Sequence, residues 1–385
     1  MAKEQKGKLA SFLKNINLRT FVMIGALLVI WVIFTLGTDG AFISTRNISN
    51  LFRQTSIVGI MGISMVLIIV TCGIDLSCGA MCGLISIMAA VMMAWGGWPT
   101  IPTILALLAV GLILGVLTGS LIAFAGIPAF ITTLGLQMAY KGAMLAIGRG
   151  ISISPMNPDF RLIADSYVPP VVGYAVAAVA ILAVAMMVIR GNNSKKKYGL
   201  QTETKALLIG KIVFFSAIIL LFIFVMNNYK GIPMPVMIMF VLVLIFSFVS
   251  TKTRFGRNIY SIGGNPSAAK FAGINVKNNL LLIYTLNGFM AATAGIVLGA
   301  RLNAGMPNAG QNYELDAIAA AVIGGASMSG GVGHVAGAIL GAVFMTTIDN
   351  GMSMMNIDQS WQYMLKGAIL LIAVWFDMRT QKKQS

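Results

Sequence analysis

Three stretches of this 385-residue chain carry side chains that could do chemistry. The first, Gly73-Ile74-Asp75-Leu76-Ser77-Cys78-Gly79, sets a carboxylate and a hydroxyl between two apolar runs. A charge in apolar surroundings is costly unless it is paired or faces water, and glycines on both sides release the backbone from a helix. Asp75 is therefore expected to line a polar cavity or to N-cap the helix that follows. The second runs from Thr253 to Ile274, where Asn265 reads as an N-cap, Pro266 as the first helical residue, Ser267 to Ala272 as about two turns and Gly273 as the stop. Such a loop would show Ile259, Tyr260, Ile262 and Phe271 to water, which implies a partner surface. The third, Tyr313 to Gly333, is rich in small residues that let helix backbones approach closely, around a glycine-rich turn.

Enzyme chemistry is poorly supplied. There is one histidine, His334, and no His/Asp/Glu cluster of the sort a membrane-embedded enzyme needs. Cys72, Cys78 and Cys82 share one apolar region without metal-ligand spacing, and are expected to be small, buried and reduced. No Lys-Ser/Thr follows a glycine-rich stretch, so there is no Walker A loop. A process driven by ATP would need another polypeptide to hold the nucleotide.

The elements that must position these residues are membrane helices. The chain is 58% hydrophobic and 10% charged, where a soluble domain carries about a quarter charged residues. Apolar runs are expected to span at about 21 to 37, 57 to 74, 80 to 95, 101 to 125, 128 to 147, 169 to 190, 207 to 226, 234 to 250, 280 to 300, 315 to 328, 333 to 348 and 360 to 376. The fold class is thus an all-α polytopic membrane protein of about twelve transmembrane helices. The first run follows basic residues but has no small-x-small cleavage site, and reads as an uncleaved helix.

Charge supports the even count. The formal net charge of +16 is concentrated in four places: the tail to residue 19 (Lys3, Lys6, Lys8, Lys14, Arg19), Arg190 to Lys211, Lys252 to Lys277, and the tail from 377. An even number of crossings puts both tails on one side, and with twelve spans the two internal basic loops, after the sixth and the eighth, fall on that same side, the cytoplasm by the positive-inside rule. Asp39, Asp159, Asp165, Glu314, Asp316, Asp349 and Asp358 fall in or beside segments expected to face the other side. Gly191 to Lys205 has the composition of a solvated linker. Two stretches, Cys72 to Gly83 and Gly324 to Gly333, each interrupt an apolar run with small and polar residues, as broken helices in two corresponding halves of a transport pathway do.

Taken together, Ile74-Asp75-Leu76-Ser77, the Phe255-Gly256-Arg257 to Gly263-Gly264-Asn265 element and Ile323-Gly324-Gly325 resemble the permease family of bacterial monosaccharide ABC importers, the ribose, galactose and xylose group. Thr38-Asp39-Gly40-Ala41, Asn47 to Leu51, Arg53-Gln54-Thr55, Asp349 to Met355, Trp361-Gln362-Tyr363 and Lys366-Gly367-Ala368 look like the D-xylose branch, as does an extra pair of spans at about 169 to 226. Cys78, Ala80 and His334 depart from the usual residues of that group.

The resemblance implies a permease domain over 20 to 376 in the bacterial inner membrane, with about ten core helices plus the inserted pair and both termini cytoplasmic. Two permease chains would form a pore, a periplasmic or lipid-anchored sugar-binding protein would deliver a monosaccharide such as D-xylose, arabinose, galactose or ribose, and a separate ATPase subunit would hold ATP and Mg. This chain would bind no cofactor or metal. A neutral sugar needs only a few hydrogen-bonding groups, and Asp75, Ser77, Gln137, Asn287, Ser327 and Ser329 are candidates for the pathway. The coupling loop at 251 to 279 would dock the ATPase through Arg254, Phe255, Gly256, Arg257, Tyr260, Gly263, Gly264, Asn265, Ala268, Ala269, Phe271 and Gly273, with Ile262 adding apolar area. An ion-driven transporter, the rival reading, would need paired buried charges, whereas only Asp75 and Lys366 stand well away from loop ends and Lys366 can snorkel.

Overall fold

The computed structural model describes residues 18–200, 202 and 204–381. Lys3, Lys6, Lys8, Lys14, Lys382 and Lys383, which carry part of the charge argument, lie outside the described residues. Among those described, the chain forms α1 (Leu18–Gly37), α2 (Thr45–Val70), α3 (Cys78–Ala90), α4 (Thr100–Ala123), α5 (Ala129–Ile147), α6 (Pro158–Asp165), α7 (Pro170–Lys197), α8 (Lys205–Asn227), α9 (Met234–Lys252), α10 (Arg254–Gly264), α11 (Pro266–Phe271), α12 (Val276–Leu302), α13 (Tyr313–Ile323), α14 (Val335–Met354) and α15 (Gln359–Gln381). A wider helical turn at Val91–Trp95 extends α3, and two residues each of β1 (Tyr167–Val168) and β2 (Ile232–Pro233) pair antiparallel. Eight of these helices, counting α3 with its extension, are long and apolar enough to cross a membrane. The protein is a polytopic, all-helical membrane protein.

Directions follow from the contacts. Gly37 lies against Met355, and Asn47 bonds to Asn350, so one end of the bundle gathers the end of α1, the start of α2 and the end of α14. At the other end, Gly331 N donates to Val70 O at 2.8 Å, Tyr260 donates to Gly333 O at 2.7 Å, and Lys277 sits over the Phe124 ring. This second end is the basic one. Lys195, Lys196 and Lys197 end α7, Lys252 ends α9 and Arg379 lies in the last turn of α15, where cations also complement the negative pole of each helix. The basic stretch expected as a linker from Gly191 is helical through Lys197.

Burial separates core from periphery. Every residue of α2 from Thr55 to Val70 is buried, which explains why it is apolar on all faces. By contrast α7 and α8 pack mainly on each other, bury only Gly173, Ala177, Ile223 and Met226, and show residues such as Val171 and Leu221 outward. Lipid is the solvent for such a surface. Close packing inside depends on glycine: Gly111, Gly115 and Gly119 put the backbone of α4 against that of α12, and a Cβ on Gly115 would stand 2.6 Å from Tyr284 O.

The core has an inverted repeat. A long helix, a non-helical linker, a helix that starts midway and two further helices occur as α2 to α5 and again, running the opposite way, as α12 to α15. The packing is reciprocal: α12 lies on α3 and α4, while α2 lies on α13 and α14. Two expectations are corrected here. The second break is the segment 303–312, not Gly324 to Gly333, which is a turn at the basic end. And 315 to 328 is not a continuous helical span: α13 has 11 residues, about 16 Å of helix against a hydrocarbon core of about 30 Å, and the non-helical segment 303–312 completes that crossing.

Candidate pathway at the junction of two broken helices

Beyond α2 the chain turns at Thr71 and Cys72, returns in extended form, and starts α3 halfway up the bundle. Asp75 makes this possible. It is 1% exposed, its Oδ1 accepts from Ser77 N at 2.7 Å and Ser77 Oγ at 2.6 Å, and its Oδ2 accepts from Asn287 Nδ2 at 2.7 Å. Asn287 Oδ1 in turn accepts from Ser64 Oγ at 2.6 Å. The N-cap of α3 is Ser77 rather than Asp75, whose carboxylate instead closes a turn onto it. The network ties the linker to α2 and to the middle of α12, so three expected pathway residues, Asp75, Ser77 and Asn287, belong to one buried cluster.

The second broken helix meets the first. From the far end of α12, 303–312 descends along α3: Gly305 lies against Ile87, Ala309 O against Gly83, and Gly310 O against Gly79. At Gly79 a Cβ would stand 2.8 Å from Glu314 N, so α3 and α13 begin side by side and only glycine admits the contact. Gln137, midway along α5, donates from Nε2 to Glu314 Oε1 at 2.5 Å. The unbonded N–H groups at the two helix starts face the same region and give it a positive potential. Asp75 and Glu314 supply the compensating charge.

A third cluster secures α13 from its other side. Lys366 of α15 places Nζ 2.9 Å from Asp316 Oδ2 and 2.7 Å from Asp349 Oδ2. Glu314 and Asp316 therefore do not face out, and Lys366 does not snorkel; it is held between two carboxylates. Buried charge pairs are therefore present, contrary to expectation, because Glu314 and Asp316 lie in the first turn of a helix that starts mid-bundle and not at the end of an outer loop.

Ser327 and Ser329 sit apart from these clusters, at the basic end. Ser327 Oγ is 3.3 Å from Asp377 Oδ2, Met328 N donates to the same oxygen at 3.1 Å, and Ser329 N donates to Ser327 Oγ. Cys72 is nearby and exposed, unlike the buried Cys78 and Cys82.

The loop between α9 and α12 forms two helices. Thr253 Oγ1 caps α10 by accepting from Gly256 N, and Asn265 Oδ1 caps α11 by accepting from Ala268 N at 2.9 Å, with Pro266 at the first position as expected. Its apolar face is mostly internal. Ile259, Ile262, Gly256 and Gly263 are buried, Gly263 against Val70 O, and Ala269 is 4% exposed; Tyr260 is half-buried by its bond to Gly333. Arg254, Arg257, Gly264, Asn265, Ala268 and Gly273 are exposed, Phe255 is partly buried, and Phe271 is 92% exposed. The large outward apolar side chain of this loop is thus Phe271, because α10 is amphipathic and turns its apolar stripe to the bundle.

Of the residues sequence reasoning passed over, Glu314 and Lys141 matter most. Lys141 of α5 is close enough to act electrostatically on Glu314 and lines a cavity of about 200 Å³ together with Ala80, Met144, Asn308, Gly310 and Gln311. A lysine within the run 128 to 147 was the available signal.

Broken helices that meet at mid-height make this a polytopic membrane protein with a polar interior at that depth, and the chain belongs to the family described as branched-chain amino acid transport system / permease component, matched over residues 47–374. Among its relatives it is 45% identical to the xylose transport system permease protein of Escherichia coli (strain K12), over 97% of this chain and 95% of that protein. It is 44% identical to the protein of the same description from Haemophilus influenzae, over 96% and 99%, and 31% identical to the ribose import permease protein of Escherichia coli (strain K12), over 93% of each. No solved structure matches the chain.

Proposed function

We propose that this chain is the membrane-spanning subunit of an ATP-binding cassette importer that carries D-xylose across the bacterial inner membrane. The observation that carries the reading is 45% identity over nearly the whole length with a permease named for xylose, set against 31% with one named for ribose. Both termini are cytoplasmic in this reading, supported by the basic end that gathers Lys195 to Lys197, Lys252 and Arg379. Hydrolysis of ATP belongs to a separate subunit, which docks at α10 and α11; the exposed Phe271, flanked by Ala268 and Ala272, favours that site. A sugar-binding protein delivers substrate at the other end.

Two copies enclose the pathway. Asn308 and Gln311 are exposed at the height of the helix junction, beside the outward apolar Leu145 of α5. Polar groups at that depth face another protein surface or water rather than lipid. ATP-driven closure of the ATPase pair would press on α11, and through α10 on Val70 and the 326–333 turn, so that the two repeats rock about the α3 and α13 starts. The loop at 251 to 279 is the coupling segment and the α7 and α8 hairpin an inserted peripheral pair.

Uptake of labelled xylose, arabinose, galactose and ribose into proteoliposomes, with the cognate ATPase and binding protein, tests this. ATP-dependent uptake of xylose above the others is expected. Equal uptake of several sugars identifies a broader monosaccharide permease, and uptake without the ATPase an ion-driven transporter.

A further inference from the structure

We propose that the cavity between α3, α5 and 303–312 is a transient site for sugar hydroxyls, read by Glu314 with Gln137 as its positioning partner. The inference rests on the proposed function and adds a selective step inside the membrane. Glu314 is 3% exposed, its Oε1 is occupied by Gln137, and its Oε2 has no hydrogen-bond partner. That free oxygen lies against Gly79, and the next residue, Ala80, is part of the cavity wall. A buried acceptor without a donor is costly, and here it stands one residue behind a chamber of about 200 Å³ whose other polar groups include Lys141, Asn308 and Gln311.

The chemistry of the chamber selects the ligand class. An anion would meet Glu314, and a cation would meet Lys141 and the positive starts of two helices. A neutral polyol suits both: its hydroxyls donate to the carboxylate and accept from the ammonium and the amides. Rocking of the two repeats about the α3 and α13 starts would open Oε2 to the cavity, where a sugar hydroxyl supplies the donor it lacks. Glycine at 79 keeps that approach short.

The test is a cycle between protein and sugar. Transport of xylose and of its monodeoxy derivatives is measured in the reconstituted complex, each delivered by saturated binding protein, for the wild type and for Glu314→Gln. The expected result is that one derivative moves about tenfold or more slowly than xylose in the wild type, as loss of a charged hydrogen bond implies. In Glu314→Gln xylose slows by a similar factor, while that derivative slows less than about twofold. Multiplying losses, or no loss, overturn the proposal. If Glu314→Gln does not assemble, Gln137→Ala is put through the same cycle and decides by the same criterion. A wild-type complex that fails to move xylose on ATP refutes the proposed function instead, and is seen before any variant is compared.

Discussion

Replacing Lys366 with methionine probes the half-helix α13 most sharply. The ammonium neutralises Asp316, whose side chain is 1% exposed, and Asp349, 25% exposed, at 2.9 and 2.7 Å. Without it two carboxylates face one another, one of them beyond the reach of water. Breaking such a buried pair from one side costs about 3–5 kcal/mol, because the remaining charge has no compensation. With an unfolding entropy of about 2.1 cal/mol/K per residue over a chain of this length, the melting temperature should fall by about 4–6 °C. Thermal unfolding of the purified protein in detergent, followed by tryptophan fluorescence, measures it. Adding Asp316→Asn to Lys366→Met should return most of the loss, whereas adding Asp349→Asn should return less, since that carboxylate is partly hydrated. A Lys366→Met protein that melts with the wild type, or a double variant less stable than the single one, would refute the claim that the three charges form one buried unit.

Phe271→Asp should leave the melting temperature within about 1 °C of wild type, as surface changes do, yet abolish ATPase binding in a pull-down. Ala269→Asp should instead lower stability, because Ala269 is 4% exposed and faces the bundle. Asn287→Leu removes the donor to Asp75 Oδ2 and the acceptor of Ser64 Oγ together, and should cost about 2–4 kcal/mol, read as a lower melting temperature and lost transport. Gly115→Val drives a side chain into Tyr284 O, and should leave little folded protein after extraction, judged by size-exclusion chromatography.

Apolar length and the caps at Asn265 and Pro266 were legible because each is a local property: the run of residues itself meets the physical requirement. What stayed hidden depends on where a helix begins in depth. Residues 303–312, rich in Asn, Gly and Pro, read as an outer loop, yet they enter the bundle because Gly79, Gly83 and Gly310 let backbone lie on backbone. That displacement carries Glu314 and Asp316 to mid-height, where Gln137 and Lys366 meet them from helices far away in sequence. Ser327 was grouped with Asp75 by residue type, but its position beside Asp377 follows from the turn that ends α13. Similarly, Ile259 and Ile262 read as exposed in a loop, whereas a helix with that spacing turns both inward on the side where Gly263 meets Val70.

In the proposed mechanism the α3 and α13 starts border an aqueous route. It is tested most directly by Gln311→Cys, in a chain whose exposed Cys72 is changed to serine, reconstituted with its ATPase and treated with a membrane-impermeant thiol reagent. Labelling from the binding-protein side that changes when ATP is supplied is expected. A cysteine at 311 that reacts only with a lipid-soluble maleimide, with or without ATP, would contradict it.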